Sequence, residues 1–110
     1  MIVIIPERAL RYYRDRRGRS PFLEWLEQLR DQRGRNLIKI HLDRMCLGHW
    51  GDWKTVGNSI FEHRLNYGPG YRVYFGRSKK QIILLLGGDK SSQDRNIKKA
   101  KEFWRAYESK

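Results

Sequence analysis

The chain has 110 residues, and its 24 Lys and Arg residues outnumber its 12 Asp and Glu residues, which gives a formal net charge of +12. This length predicts one domain, residues 1–110, built around a single core. Hydrophobic residues make up 39% of the chain and aromatic residues 13%, which excludes a disordered basic tail. The excess of positive charge predicts a polyanionic partner.

The cysteine content and the N-terminal residues bear on location. Cys46 is the single cysteine, so an intramolecular disulfide and a cysteine-based structural zinc site are both excluded. Residues 2–5 are apolar but end at Pro6, far short of the roughly 7 to 15 residues of a signal-peptide core or the ~20 residues of a membrane span. We therefore expect a cytoplasmic protein with no membrane attachment.

The first half of the chain predicts a strand followed by two helices. Residues 2–5 are β-branched, as in a short strand, and the arginine-rich residues 8–19 indicate a solvated connector. A helix is predicted to begin after Ser20, a capping residue, because apolar residues then recur at i, i+3, i+4 and i+7. A second apolar stripe, in residues 37–46, predicts another helix that packs antiparallel to the first.

The middle of the chain predicts a loop and a hairpin. Residues 48–57 are rich in glycine and aspartate and indicate a loop that contains Lys54. From residue 59 the apolar positions alternate with polar ones, as in a strand. A turn at residues 68–70 then leads into a second alternating strand at residues 71–76.

The last third predicts an interior strand and a terminal helix. The unbroken apolar run at residues 82–86 is typical of a strand buried on both faces. From Asp94 onward, apolar residues at helical spacing are surrounded by basic ones. The whole pattern predicts an α+β fold, with a mostly antiparallel, four-stranded twisted sheet, a helix hairpin on one face and the order β-α-α-β-β-β-α.

The predicted hairpin brings two arginines together. If Tyr67 pairs with Tyr71 across the turn, Arg64 lies opposite Tyr74 and diagonal to Arg72 on one face of the sheet. Two guanidinium groups on one surface can bind a phosphate through charge-assisted hydrogen bonds. The alternative is a pair of ordinary solvent-facing arginines.

Two segments resemble the RelE/ParE superfamily of bacterial toxins, and within it the HigB-like group of addiction-module killer proteins. They are RLNYGPGYRVYF, residues 64–75, and LLLGGDKSSQDRNIKKAKEFW, residues 84–104. The resemblance extends over nearly the whole chain, from the helix after Ser20 to Trp104. It implies a RelE-like fold and the toxin of a type II toxin–antitoxin pair. It also implies a ribosome-dependent, metal-independent endoribonuclease that cuts mRNA and blocks translation.

The resemblance also implies the residues that act. Four cationic side chains match catalytic positions of the RelE-like pattern: Lys54, Arg64, Arg72 and Lys90. On the same face as the arginines, Tyr74 is expected to stack on an RNA base. Basic residues of the terminal helix are expected to contact RNA, namely Arg95, Lys98 and Lys99. A solvated face and a docking face for a protein inhibitor stay open as alternatives for this helix.

The expected reaction sets the chemistry that these residues must supply. The 2′-hydroxyl attacks its own phosphate, so the protein must stabilise a dianionic phosphorane and move two protons. Arg64, Arg72 and Lys90 are predicted to stabilise the phosphorane. His63 alternates onto the opposite sheet face from Arg64, so Lys54 or Lys90 is the candidate for proton transfer, because neighbouring cations favour the neutral amine of a lysine. No metal and no cofactor are expected.

The resemblance implies partners, and two other functions stay open. The expected partners are the ribosome with its mRNA and a cognate antitoxin, a small helix-turn-helix protein through which the complex would bind operator DNA. One alternative is a ParE-like inhibitor of DNA gyrase, and the other is an RNA-binding or ribosome-binding module without catalysis. The combination of Arg64, Arg72 and Lys90 favours the nuclease, because a gyrase inhibitor has no need to gather cations at one site.

Overall fold

The computed structural model describes residues 9–109. The elements in chain order are β1 (Ala9–Tyr12), α1 (Pro21–Gln28), α2 (Gln32–Cys46), β2 (Asp52–Gly57), β3 (Ile60–Arg64), β4 (Arg72–Ser78), β5 (Gln81–Gly88) and α3 (Gln93–Glu108), with one 3-10 turn at Lys90–Ser92. The strand predicted at residues 2–5 lies outside the described residues. Over the described range, no helix is both long and apolar enough to cross a membrane.

The strands form one mixed sheet in the order β1-β5-β4-β3-β2. Strands β2 to β5 are antiparallel neighbours, and β1 runs parallel to β5. The α+β class is confirmed, whereas the expected count of four strands is wrong.

Two strands lie where the sequence predicted irregular structure. Residues 9–12 belong to the predicted connector but pair with β5, from Ala9 opposite Gln81 to Tyr12 opposite Leu84. The predicted loop contains β2, which pairs with β3 at the sheet edge and is almost fully exposed. An edge strand exposed on both faces carries no apolar alternation, so the sequence pattern does not reveal it.

Helix α1 begins after Ser20 as predicted, whereas α2 begins at Gln32, five residues before the predicted stripe, and both helices lie on the same face of the sheet. The Leu23 N–H donates to the hydroxyl of Ser20 at 3.2 Å, and the Gly34 N–H donates to the carboxylate of Asp31 at 2.9 Å. Each cap satisfies one backbone donor that the first helical turn leaves free. Both helices contribute to one apolar cluster with the sheet, which includes Phe22, Leu26, Ile38, Leu42, Val73, Phe75, Ile82 and Leu84.

Helix α3 covers the opposite face of the sheet. Its Ala100 and Trp104 pack with Tyr74 and with the alternate residues of β5. Strand β5 is therefore buried on both faces, as the sequence predicted, with four residues at 0% exposure, namely Ile82, Ile83, Leu84 and Leu85. Gly76 makes room for the indole, because a Cβ there would lie 2.3 Å from Trp104 Cζ3.

The register of the β3–β4 hairpin differs from the prediction. Arg64 pairs directly with Arg72, and Tyr74 pairs with Glu62 and not with Arg64. The loop between the two strands is longer than the three residues predicted. The paired residues end at Arg64 and Arg72, and one further hydrogen bond, from the Leu65 N–H to the Tyr71 carbonyl at 2.9 Å, follows them. The two arginines are consequently cross-strand neighbours and not diagonal ones.

Candidate active site

An open cleft of about 510 Å³ lies at the end of the sheet where β3 leads into β4. Its walls come from the end of β3, the following turn, the first residues of β2 and β4, and the residue after Asp89. The charged side chains that line it are Asp52, Arg64, Arg72 and Lys90. Three of the four predicted catalytic cations therefore share one cleft.

Each arginine of the cleft is held at one end. Arg64 Nη2 donates to Asp52 Oδ1 at 2.9 Å, and Arg72 Nη1 donates to the carbonyl of Gly70 at 3.1 Å. Among the described residues, the Nε atoms of both arginines are buried and have no hydrogen-bond partner. A guanidinium has five N–H donors, so each side chain is oriented and its Nη groups still have donors for an anion.

Lys90 reaches the cleft from the other side of the turn. The Asp89 carboxylate accepts from the Ser91 N–H at 2.9 Å and so fixes the 3-10 turn, and the Lys90 N–H donates to the Pro69 carbonyl at 3.4 Å. A Cβ on Gly70 would lie 3.3 Å from the Cβ of Lys90. The hairpin turn and the segment after β5 thus touch each other, which brings Lys90 to the cleft.

Lys54 lies opposite Glu62, two residue pairs along the β2–β3 ladder from the Asp52–Arg64 pair of the cleft. Its Nζ is 4.0 Å from Oε1 of Glu62, whose side chain is fully buried. Oε2 of Glu62 accepts from the Tyr74 hydroxyl at 3.0 Å and from the Gln93 amide at 2.8 Å. Lys54 is thus the partner of a buried carboxylate and is not brought into the cleft with the other three cations.

The structure contradicts the expected base-stacking role of Tyr74. Its side chain faces α3 and is 0% exposed, so no base can reach the ring. Burial and the neighbouring Glu62 raise the pKa of Tyr74 far above its ordinary value. Burial and the hydrogen bond to Asp31 raise the pKa of Tyr71 to about 12. Neither tyrosine is suited to act as a base.

The predicted RNA-binding residues of α3 are on the surface. Arg95, Lys98 and Lys99 are all exposed. Arg95 lines a smaller cleft of about 270 Å³ together with Lys90. A basic surface therefore continues from the main cleft onto the first turns of α3, which suits a polyanion longer than one phosphate.

Two features of this region were not predicted. Asp52 was assigned to a loop, and its carboxylate lines the cleft and pairs with Arg64. On the opposite sheet face, where the alternation correctly placed His63, its Nε2 lies 2.8 Å from Nδ1 of His41 and its Nδ1 lies 2.8 Å from the carbonyl oxygen of Trp50. The signal for the histidine pair was a polar residue in each of two otherwise apolar faces. Within residues 9–109, no three His, Cys, Asp or Glu side chains are grouped to hold a metal ion.

Comparison with known proteins identifies one relative. An uncharacterized protein of Haemophilus influenzae is 44% identical over 81 residues, which are 73% of this chain and 82% of that protein. No family model and no solved structure matches the chain. The identity and the coverage show that this chain belongs to the same family as the Haemophilus influenzae protein.

Proposed function

We propose that this protein is the toxin of a type II toxin–antitoxin pair, a HigB-like member of the RelE/ParE superfamily that cuts mRNA on the ribosome without a metal. The observation that carries the proposal is the cleft in which Arg64, Arg72 and Lys90 meet. Three cationic side chains around one opening, in a chain of formal charge +12, favour a phosphate of a polyanion as the ligand.

The arginine pair suits the transition state of RNA cleavage. Arg64 and Arg72 are directly opposite each other, so a dianionic phosphorane between them would neutralise two like charges and accept hydrogen bonds from their remaining Nη–H groups. Donors that are fixed before the reaction stabilise developing charge without reorganisation. The Asp52 carboxylate and the Gly70 carbonyl supply this orientation.

Proton transfer is assigned to Asp52 and Lys90. Among the described residues, Asp52 is the one carboxylate that lines the cleft, and its side chain is 61% exposed and therefore accessible to a ribose hydroxyl. Asp52 would accept the 2′-hydroxyl proton while the 2′-oxygen bonds to phosphorus. Lys90 would give a proton to the departing 5′-oxygen. The products are a 2′,3′-cyclic phosphate and a 5′-hydroxyl end.

The remaining assignments belong to the same proposal. The whole chain is one RelE-like toxin domain that acts in the cytoplasm, with the ribosome and its mRNA as targets. Arg95, Lys98 and Lys99 are the exposed cations that would contact RNA beyond the cleft. A helix-turn-helix antitoxin would neutralise the toxin and bind operator DNA in the complex.

The test is brief induction of the chain without an antitoxin. Pulse labelling of protein and DNA synthesis, followed by primer extension on cellular mRNA, separates the candidate functions. The proposal predicts that protein synthesis stops first and that new mRNA 5′ ends appear, and that Arg72→Gln strongly reduces both effects. Earlier arrest of DNA synthesis would establish the gyrase inhibitor instead. A block of translation without new 5′ ends would establish a non-catalytic ribosome-binding module.

A further inference from the structure

A histidine pair, with His63 buried and His41 half-buried, lies on the sheet face opposite the cleft. His63 of β3 is 1% exposed, and its ring joins His41 of α2 to the backbone carbonyl of Trp50, with 2.8 Å at each contact. One residue, Gly51, separates Trp50 from β2, so the imidazole of His63 holds the segment through which the chain enters β2.

This segment determines where Asp52 lies. Gly51, which stands between Trp50 and Asp52, has a φ of +62°, and a Cβ there would lie 3.0 Å from Cε1 of His63. The backbone therefore lies directly on the imidazole before it reaches Asp52. Asp52 is opposite Arg64 in the β2–β3 register, and Arg64 follows His63 in β3.

The hydrogen bonds fix the protonation of the pair. Because the Trp50 carbonyl can only accept, Nδ1 of His63 carries a proton, and in the neutral ring Nε2 then accepts from Nδ1–H of His41. One added proton can enter at the far side of His41 without breaking this contact. A second one places two N–H groups 2.8 Å apart, which the geometry does not allow.

We propose that His63 is a positioning residue that holds the Trp50–Asp52 segment so that Asp52 stays against Arg64. We further propose that full protonation of the His41–His63 pair drives the two rings apart and, because Nδ1–H of His63 stays bonded to Trp50, shifts this segment and loosens the Asp52–Arg64 contact. The role of Asp52 as proton acceptor rests on the proposed function. The coupling of the histidine pair to the Asp52–Arg64 contact rests on geometry alone.

Burial and the charged groups around the pair place this shift below the ordinary histidine pKa. Burial lowers the pKa of both histidines. Arg44 on α2 lowers the pKa of His41 further. For His63 the hydrogen bond to the Trp50 carbonyl opposes the effect of burial, the cationic form of His41 lowers the pKa, and Asp52 raises it. Glu62 and Arg64 flank His63 in β3. Their side chains extend from the sheet face opposite His63. The pKa for binding of the second proton therefore lies below the ordinary histidine pKa of about 6.5.

Inorganic sulfate is a suitable probe, because it binds cations and does not titrate between pH 5 and 8. Removal of the Asp52 charge should tighten sulfate binding on the order of threefold, as expected for a charge a few ångströms away in a solvated cleft. If His63 positions Asp52, His63→Leu should also tighten sulfate binding in the protein that retains Asp52. It should not change sulfate binding in the Asp52→Asn protein. Equal effects of His63→Leu in both backgrounds would overturn the proposal.

The pH dependence of sulfate binding is a second, independent test of the proposal. Wild-type affinity for sulfate should rise on acidification from pH 7.5 to 5, and most of this rise should vanish in Asp52→Asn. If the rise persists in Asp52→Asn, it reflects only the added histidine charge, and the proposal is wrong. His63→Asn, whose amide can replace Nδ1–H toward Trp50 without titrating, should keep wild-type affinity at pH 7.5 and lose the acid response.

These variants also separate this inference from the function. The Asp52 amide resonance and the Arg64 guanidinium resonances report on the Nη2–Oδ1 contact in NMR spectra, whether or not an anion is bound. If His63→Leu does not fold, sulfate binding by His63→Asn and by Asp52→Asn as a function of pH tests the proposal instead. If mRNA is not cleaved but His63→Leu affects sulfate binding only when Asp52 is present, the nuclease is rejected and the positioning role stands. If mRNA is cleaved but the effects of the two substitutions on sulfate binding are additive, the nuclease stands and the positioning role is rejected.

Discussion

Arg64 and Arg72 stand directly opposite each other on neighbouring antiparallel strands. Like charges at such positions usually destabilise a sheet by roughly 0.2–1 kcal/mol. Asp52 offsets part of this repulsion by pairing with Arg64 at 2.9 Å, whereas Arg72 contacts only the uncharged carbonyl of Gly70 among its described partners. The fold therefore retains an unfavourable pair in the cleft, which is typical of a functional site.

This pair predicts that activity and stability change in opposite directions at Arg72. Arg72→Gln should lower mRNA cleavage on the order of a hundredfold, because one oriented donor to the phosphorane is lost. The same change should leave the melting temperature equal or higher, because it removes the repulsion with Arg64. Lys39→Gln on the exposed side of α2 is the control and should change neither property much. Wild-type cleavage by a folded Arg72→Gln protein would exclude Arg72 from the active site.

Asp52 should be required for catalysis and not for folding. Its side chain is 61% exposed on an edge strand, so Asp52→Asn should keep the fold. Loss of a general base lowers rates by about 10²–10⁴-fold, and cleavage of ribosome-bound mRNA should fall by that amount. Asp43, which is exposed on α2, offers a matched control as Asp43→Asn. Unchanged cleavage in Asp52→Asn would leave proton transfer to another group.

The sequence predicted the parts of the fold that bury apolar side chains with a clear period. Helix α1 after Ser20 and the doubly buried strand β5 were both predicted, because burial imposes the spacing that the sequence shows. Edge strands β1 and β2 were missed for the opposite reason. Strand β2 is exposed at five of its six positions, so its residues satisfy no burial pattern, and only pairing with β3 makes it a strand.

The candidate site was predicted in part for a related reason. Residue types and the resemblance indicated Arg64, Arg72 and Lys90, and the structure brings them to one cleft. The burial of Tyr74 under α3 and the pairing of Lys54 with Glu62 depend on contacts between distant segments. Such contacts leave no trace in local spacing, and neither does the approach of Asp52 to Arg64.

Glu62 should stabilise the fold through the hydrogen bonds that it accepts. Glu62→Ala would leave the buried Tyr74 hydroxyl and the Gln93 amide without their acceptor, at a cost of about 1–3 kcal/mol for each buried group left unpaired. Glu62→Gln retains an acceptor for the tyrosine and should cost less. Urea denaturation of both variants measures the difference. Tyr74→Phe is the control, because it removes the hydroxyl but keeps the ring, and it should reduce the effect of Glu62→Ala.

Acid should destabilise the protein through His41 and His63. Burial lowers the pKa of both rings in the folded state, so between these lowered values and about 6.5 the unfolded chain binds more protons. The stability contributed by the neutral rings is full above that window and is lost as the pH falls through it. Melting temperatures from pH 8 to 4.5 should fall across this range, and His63→Asn should flatten the fall.

A second acid step should be separate from the histidine step. Hydrogen bonds from the Gly34 N–H and the Tyr71 hydroxyl lower the pKa of Asp31, and those from Ser91 lower the pKa of Asp89. Stability from these carboxylates is present above the ordinary aspartate value and is lost only as the pH falls through their lowered folded values. If His63→Asn left the profile above pH 4.5 unchanged, the histidine pair would not be the cause of the first step.

Gly34→Ala should destabilise the protein although it introduces a better helix former. In an ordinary helix this change stabilises by roughly 0.5–1 kcal/mol. Here the new Cβ would lie 2.6 Å from Asp31 Oδ2 and 2.7 Å from Cε2 of Tyr71, and these two side chains are fixed by their own hydrogen bond of 2.8 Å. Overpacking of this kind costs about 1–3 kcal/mol, which outweighs the gain in helix propensity.

The same change tests how the cleft is supported. Tyr71 joins the N-terminus of α2 to the end of the hairpin turn, and the Leu65 N–H bonds to its carbonyl at 2.9 Å. Tyr71→Leu in the Gly34→Ala background should relieve the clash, so the two changes should be less than additive in urea denaturation. A stabilised Gly34→Ala single variant would show that the Asp31–Tyr71 contact yields easily, and that α2 does not hold the turn against the cleft.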